Sequence, residues 1–169
     1  MNRALLVLLL MAVTVGTVVA YKDPETAARA SDSVSAMLRK HTPSVRAVQI
    51  ARGQGGEFTL QAKINGVGAP MVVDTGATSV VLTYETAKAA GLPLELLDYN
   101  VDLETAGGHA KAARLTLDRL AIGNLVERSI PALVVPHGQM KTNLLGMTFL
   151  DRLESWEVRA DRLMLRGYP

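Results

Sequence analysis

The fold of this chain is decided by the stretch Met71-Val72-Val73-Asp74-Thr75-Gly76-Ala77, in which an apolar run ends at a carboxylate. The run has the composition of a buried strand, and Thr and Gly are typical of the tight turn that follows it. Thr75 is expected to hydrogen-bond to backbone from this turn, and Gly76 permits close backbone approach and a positive φ. Asp74 is the only carboxylate in such a strand-to-turn setting, so it is the candidate catalytic residue.

A second motif, Leu144-Leu145-Gly146, lies far downstream of the first. An isolated Asp-Thr-Gly is a weak signal, because turn residues often occur in that order. Here the loop ends at Ala77, a second apolar run (Val80-Val81-Leu82) follows, and the downstream motif accompanies it. An ordinary turn is the alternative, and the combination of features favours a catalytic loop.

Hydrolysis by carboxylates requires two acidic groups that share a proton. One is ionised and acts as a general base on water, and the other is protonated and polarises the carbonyl group that is attacked. Like charges about 3 Å apart cannot both ionise, which divides the pair into these two roles. Because Asp-Thr-Gly occurs once in the chain, the second Asp is predicted to come from a second copy. Two carboxylates and water suffice, so no metal or organic cofactor is predicted.

Composition narrows the possible functions. The chain has 169 residues, of which 49% are apolar and 20% are charged, and its net charge is +2. We find no cluster of basic residues with interleaved aromatics, so nucleic-acid binding is not predicted. The chain has no cysteine, which excludes a disulfide, a thiolate nucleophile and a cysteine-bound metal.

The N-terminal segment is apolar. Residues Ala4 to Ala20 carry no charge and follow Arg3, a length at the lower limit for a membrane-spanning helix and slightly above a usual signal-peptide core. Two interpretations stay open: an uncleaved anchor, which the length favours, and a signal cleaved after Val18-Val19-Ala20. In both, the positive charge stays in the cytoplasm and the rest of the chain is exported.

Three parts are predicted along the chain: a signal anchor over residues 1–21, a stalk or linker over 22–44, and a catalytic domain over 45–169. The stalk is rich in Ala and Ser. From Val45 onward the apolar residues recur with a period of two, which is typical of strands.

Two short helices interrupt the predicted strands. The first runs from Tyr84 to Ala90, with Thr83 as its N-cap and Gly91 at its end. The second is predicted over Leu144 to Leu153. The sequence therefore predicts a mostly β domain with one or two short helices.

These motifs resemble those of the retroviral-like, or retropepsin-type, aspartic proteases, and most closely the bacterial membrane-anchored branch. The resemblance spans about Glu57 to Leu165 and includes the stretches Val72–Ser79, Thr142–Leu150 and Trp156–Leu165. It implies a closed, barrel-like β domain with one half-site per chain. It also implies a homodimer with the active site on its two-fold axis, and a peptide or protein as substrate.

The resemblance assigns roles to the motif residues. Asp74 is implied as the catalytic acid, with Thr75, Gly76 and Ala77 supporting the loop that holds it. Leu144-Leu145-Gly146 is implied to pass behind that loop.

The resemblance also implies a flexible β-hairpin, or flap, over the site, at Thr105-Ala106-Gly107-Gly108-His109. Adjacent glycines suit a moving tip. His109 either touches substrate or is an exposed loop residue, and the second interpretation is favoured. Thr78 and Met147 depart from the viral pattern, which has an acid and an Arg at these positions.

We therefore expect an exported, membrane-tethered aspartic endopeptidase that is active as a homodimer. The expected location is the bacterial inner membrane with the catalytic domain facing the periplasm, or the periplasm itself if the N-terminal segment is cleaved. The alternative is a non-catalytic peptide-binding or dimerisation module of the same fold. The intact Asp74-Thr75-Gly76 favours the enzyme, because a binding module does not require the carboxylate.

Overall fold

The computed structural model of the chain describes residues 46–105 and 108–169. The predicted anchor (1–21) and stalk (22–44) lie outside the described residues, so the domain boundaries stay a prediction. Within the described ranges, no helix combines the length and the hydropathy that a membrane crossing requires.

The described residues form ten strands, two short α-helices and one 3₁₀ turn. The strands are β1 Ala47–Ala51, β2 Thr59–Ile64, β3 Val67–Val73, β4 Val80–Leu82, β5 Val101–Thr105, β6 Gly108–Ile122, β7 Leu125–Val134, β8 Asn143–Leu145, β9 Ser155–Val158 and β10 Arg162–Arg166. The helices are α1 Tyr84–Ala89 and α2 Met147–Leu150, and the 3₁₀ turn is Leu94–Leu96.

Six strands close into a barrel in the order β2-β3-β8-β4-β7-β6. The barrel closes because β6 also pairs with β2, through Lys63 with Ala121 and Ile64 with Leu120. Strand β5 pairs with the first part of β6 as a hairpin, and β1, β10 and β9 form a separate three-stranded sheet. The predicted fold class, a mostly β closed barrel with one or two short helices, is confirmed.

Local sequence explains how β3 reaches the site. In β2 the side chains alternate between exposed and buried, with Leu60, Ala62 and Ile64 directed into the barrel, as the period of a strand dictates. Asn65 and Gly66 have φ values of 50° and 95°, which are the positive values that a two-residue type I′ hairpin requires. The chain therefore reverses tightly, and β3 returns to end immediately before Asp74.

Helix α1 has the predicted ends, with a difference of one residue. The Thr83 hydroxyl accepts a hydrogen bond from the Thr86 amide at 3.2 Å, as an N-cap does. Gly91 has a φ of 70° just beyond the helix, where a left-handed residue is common. The helix ends at Ala89 rather than Ala90, and the buried Ala87 packs it against the core.

The second predicted helix is wrong over its first residues. Leu144 and Leu145 lie in β8, which pairs in parallel with Val72 and Val73 of β3, and only Met147–Leu150 is helical. Short apolar runs are ambiguous between strand and helix. In this chain the backbone of Leu144 and Leu145 pairs with β3, which fixes it as a strand. Gly146, which has an extended backbone, separates this strand from the helix.

Candidate active site

Backbone hydrogen bonds anchor the Asp74 loop to β8 and also join the two ends of the loop to each other. The amide of Asp74 donates to the carbonyl of Leu145 at 3.1 Å, and the amide of Ala77 donates to the carbonyl of Asp74 at 3.3 Å. The amide of Gly76 donates to Oδ1 of Asp74 at 2.9 Å. Because a hydrogen bond to a carboxylate is among the stronger kinds, this last contact fixes the direction of the half-buried side chain.

The second motif lies directly behind this loop. The amide of Met147 donates to the carbonyl of Ala77 at 2.9 Å. A Cβ added to the buried Gly146 would collide with the carbonyl oxygen of Ser79 and lie 2.6 Å from that of Ala77. Only glycine allows the two backbones to approach this closely.

The structure thus brings the two predicted motifs together. Asp74, the supporting Thr75-Gly76-Ala77 and the second motif Leu144-Leu145-Gly146 form one contiguous unit. The catalytic role of Asp74 and the supporting roles of the other residues stay predictions. Thr75 and Gly76 are exposed on the single chain, so this side of the loop is open to another molecule.

Two residues that support the loop were missed by sequence reasoning. The hydroxyl of Thr148, in α2, accepts a hydrogen bond from the amide of Val80 at 2.9 Å, which ties the helix to the strand after the loop. Asn143, in β8, is 3% exposed. The sequence signal for Thr148 is a polar residue inside the apolar stretch Leu144 to Leu150, whereas Asn143 precedes that stretch and follows the polar Lys141-Thr142, so no local signal distinguishes it.

The Asn143 side chain joins three elements. Its Nδ2 donates to the carbonyl of Pro70 in β3 at 2.8 Å and to the hydroxyl of Thr86 in α1 at 2.9 Å. Its Oδ1 accepts from the amide of Thr83, before α1, at 2.9 Å. A buried polar group whose hydrogen bonds are satisfied specifies one packing arrangement. Asn143 therefore holds β8, and with it the second motif, in register.

We expect Asn143→Leu to destabilise the domain by about 2–3 kcal/mol, because the change leaves the amide of the buried Thr83 and the carbonyl of Pro70 without their side-chain partner. The measurement is chemical denaturation followed by circular dichroism. The matched control is Asn100→Leu at an exposed position, for which a change within about 0.5 kcal/mol is expected. Equal losses for the two variants would contradict the role given to Asn143.

A cleft of about 1180 Å³ opens over Asp74. One wall is the Asp74 loop, and the opposite wall is the β5–β6 hairpin, in which Glu104 lies opposite His109 and Thr105 opposite Gly108. Besides the loop residues Asp74, Gly76, Ala77, Thr78 and Ser79, the lining consists of Asp102, Leu103, Glu104, His109, Leu133, Gln139, Met140 and Leu144.

The predicted flap is therefore the end of a hairpin that borders the same cleft as Asp74. Thr105 ends β5 and Gly108, with a φ of 113°, begins β6. Ala106 and Gly107, the predicted tip, lie outside the described residues. His109 is exposed to solvent and also lines the cleft. The two interpretations of His109, contact with substrate and exposure in a loop, are therefore compatible.

The hairpin carries an ion pair beside the cleft. Nζ of Lys111 lies 2.6 Å from Oδ1 of Asp102, its cross-strand partner. The hydrogen bond and the charge of Lys111 lower the pKa of the Asp102 carboxyl. The pair links the two strands of the hairpin on the side where the tip begins.

This ion pair gives a pH dependence with a definite sign. Because the pKa of Asp102 is depressed in the folded chain, the stabilisation is present above the unfolded value of about 3.9 and is lost as the pH falls through the folded pKa. Lys111→Met is expected to raise the pKa of Asp102 toward about 3.9, measured by NMR titration of the side-chain carboxyl. The control Lys63→Met, on β2, should leave it unchanged. An Asp102 pKa that does not respond to Lys111→Met would refute this cause.

Within residues 46–105 and 108–169, no three His, Asp or Glu side chains stand close enough together to hold a metal ion. That the reaction needs no cofactor stays a prediction.

Comparison with known proteins gives three kinds of match. The family model described as aspartyl protease matches residues 60–149. A retropepsin-like aspartic protease from Rickettsia conorii, known from a crystal structure, is 34% identical, with 73% of this chain and 93% of that chain covered and a TM-score of 0.64.

Two uncharacterized proteins also match. One, in the cobV 5′ region of Sinorhizobium sp., is 41% identical over 111 residues, which are 66% of this chain and 48% of the relative. The other, from Rickettsia prowazekii, is 33% identical over 129 residues, which are 75% of this chain and 54% of the relative. The chain spans about half the length of these two curated relatives.

Proposed function

Since this chain belongs to the aspartyl protease family and has its retropepsin-like fold, we propose that it is an endopeptidase in which Asp74 from two copies forms the catalytic pair. The observation that carries the proposal is the presentation of Asp74. Its carboxylate is held by the Gly76 amide, on a loop anchored to β8, at the floor of an open cleft. One chain provides one such group, and the reaction requires two.

The proposed reaction uses the two Asp74 side chains in different protonation states. The ionised one accepts a proton from water, and the water oxygen attacks the carbonyl carbon of the scissile peptide bond. The protonated one donates a hydrogen bond to the carbonyl oxygen and stabilises the tetrahedral intermediate. When the intermediate collapses, the C–N bond breaks and the leaving nitrogen takes up the proton that the first carboxylate accepted from water, which returns that Asp74 to its ionised state. The Gly76 amide keeps each carboxylate directed toward this point.

The cleft suits an extended peptide. The hairpin of β5 and β6 borders it, and main-chain hydrogen bonds to such a hairpin hold a peptide as an added strand. Leu103, Leu133, Met140 and Leu144 give the lining an apolar part. We therefore propose that the substrate presents apolar side chains next to the bond that is cleaved.

Export and membrane tethering are part of the same proposal. The apolar segment Ala4 to Ala20 follows Arg3, which supports insertion with the positive charge in the cytoplasm. The proposed location is the bacterial inner membrane with the catalytic domain in the periplasm, or the periplasm itself after cleavage. Confinement of two chains to one membrane raises their effective concentration and favours the active pair.

The test of the enzymatic function is cleavage of a mixed peptide library by the full chain in detergent, from acid to neutral pH, beside Asp74→Asn. Cleavage by the parent alone supports the proposal, and the cleavage sites give the specificity. If neither protein cleaves but both bind peptides, the chain is a peptide-binding module and the proposal fails.

The tether has a separate test. The full chain is reconstituted in lipid vesicles at a fixed protein-to-lipid ratio and compared with the same chain in detergent. Diluting the vesicles is expected to leave the activity per chain unchanged, whereas diluting the detergent sample lowers it, because only the second dilution separates the copies. Equal declines in both samples would rule out a role for membrane confinement.

A further inference from the structure

We propose that Arg114 makes the site selective for substrates with an acidic side chain, Asp or Glu, located a few residues away from the scissile bond. This role of Arg114 rests on the proposed function, since it requires an extended peptide in the cleft over Asp74. Its independent support is a second pocket, of about 320 Å³, which adjoins the cleft and is lined by Arg114.

The pocket that contains Arg114 continues the cleft. Ser79 and Leu133 line both cavities, so the two meet at these residues. On the sheet, Arg114 of β6 lies opposite Leu133 of β7, and Thr116 lies opposite Pro131. Opposite residues of an antiparallel pair share a face, and all four of these residues line the pocket. A peptide that leaves the cleft over Leu133 therefore passes beside Arg114.

The Arg114 side chain is available for a ligand. It is exposed, and within residues 46–105 and 108–169 its guanidinium forms neither an ion pair nor a hydrogen bond. None of the residues that line this pocket is acidic. A guanidinium presents its N–H donors in a planar fork that fits a carboxylate, and Ser79 and Thr116 add hydroxyl groups that can also donate. The pocket therefore has the chemistry of a carboxylate site.

The cleft itself has the opposite charge, which restricts where an acidic side chain can bind. The titratable residues that line the cleft are Asp74, Asp102, Glu104 and His109. Lys111 compensates Asp102, whereas Glu104 lies opposite His109, which compensates it only when the imidazole is protonated. An acidic side chain next to the scissile bond would approach Asp74, and contact between like charges is unfavourable. Acid is thus disfavoured beside Asp74 and favoured beside Arg114.

The selectivity should be moderate in size and should act on substrate binding. A contact between a cation and a carboxylate in a pocket open to solvent is expected to favour Glu over Gln by about fivefold. Because the contact lies away from the reacting atoms, it is equally strong in the ground state and the transition state. It therefore lowers KM and leaves kcat unchanged. Added salt should reduce the preference, because it screens exposed charges.

The test is a scan of one peptide that the full chain in detergent cleaves at neutral pH. The peptide is synthesised with Glu and, separately, with Gln at each position in turn, and kcat and KM are measured for every pair. We expect one position, not adjacent to the scissile bond, at which Glu exceeds Gln by about fivefold in kcat/KM. Arg114→Gln should bring this ratio to about one, and Arg114→Glu should invert it, because the attraction then becomes a repulsion.

The matched control is Arg119→Gln, which removes an exposed cation from the same strand, outside the lining of the pocket. It should keep the parental ratio at every position. The role of Arg114 is overturned if the parent has no position that favours Glu, or if the preference persists in Arg114→Gln. Equal losses of kcat/KM on the Glu and Gln peptides in Arg114→Gln would also overturn it, because they would indicate a structural effect instead of charge selection.

Peptide binding separates the role of Arg114 from the function on which it rests. The immobilised full chain with Asp74→Asn is equilibrated with a mixed peptide library, and the retained peptides are identified by mass spectrometry. Retention of acidic peptides that is lost on adding Arg114→Gln, without any cleavage by the parent, would keep the carboxylate site and remove the enzymatic proposal. Cleavage by the parent without a preference that depends on Arg114 would do the reverse. Neither cleavage nor retention would remove both.

Discussion

Asp74→Asn is expected to lower kcat/KM for peptide cleavage by about 10⁴-fold, the upper end of the range for general acid–base catalysis. In a homodimer the single change replaces both carboxylates, so neither a base for water nor an acid for the carbonyl oxygen remains. The fold should be unaffected, because the Asn side-chain oxygen can still accept the hydrogen bond that the Gly76 amide now donates to Asp74.

The measurement is the initial rate on a peptide that the parent cleaves, at several substrate concentrations. The control Asp118→Asn changes an exposed carboxylate on β6 in the same way and should keep the parental rate. The melting temperatures of all three proteins should agree. An Asp74→Asn variant that retains more than about a tenth of the parental rate would remove Asp74 from the mechanism, since a general acid–base group contributes at least 10²-fold.

The same variant tests whether the pair is formed between copies. Increasing amounts of Asp74→Asn are added to a fixed amount of the parent under conditions that allow exchange of subunits. Activity is expected to fall, because the parent chains become distributed among mixed pairs that hold a single carboxylate. If each chain acted alone, the added variant would leave the rate unchanged.

The parts of the fold that could be predicted from sequence are those set by local interactions. Three predicted features depend on residues within a few positions of one another. They are the alternation of buried and exposed side chains in β2, the positive φ values at Asn65 and Gly66, and the N-cap at Thr83. The strand character of Leu144 and Leu145 depends instead on parallel pairing with β3. No local pattern encodes that pairing, so the run was predicted as part of a helix.

The same distinction between local motifs and contacts distant in sequence applies to the candidate site. The two motifs indicated that Asp74 and Leu144-Leu145-Gly146 belong together, and the structure places them in contact. The contributions of Asn143 and Thr148 could not be predicted, because their partners, such as Pro70 and Val80, are distant in sequence. Hydrogen bonding of this kind depends on the three-dimensional approach of backbones rather than on a motif.

Gly146→Ala is expected to destabilise the domain by about 3 kcal/mol. The added methyl group would overlap the carbonyl oxygen of Ser79 and lie 2.6 Å from that of Ala77. Both atoms are backbone, so no side-chain rotation relieves the overlap, and the loop itself must move away from β8. For a domain of this size the melting temperature should fall by about 10 °C, measured by calorimetry or circular dichroism.

The displaced loop also carries Asp74, so the folded fraction of Gly146→Ala should have a kcat/KM about 10²-fold below that of the parent, the expected effect of a misplacement near 1 Å. Gly68→Ala is the matched control. Gly68 lies in β3 with no atom within 4 Å of an added Cβ, so this change should be neutral or stabilise by up to about 1 kcal/mol through the unfolded chain. Because the two variants add the same methyl group, a similar loss of stability in both would show that backbone freedom, and not the contact with the Asp74 loop, is what Gly146 provides.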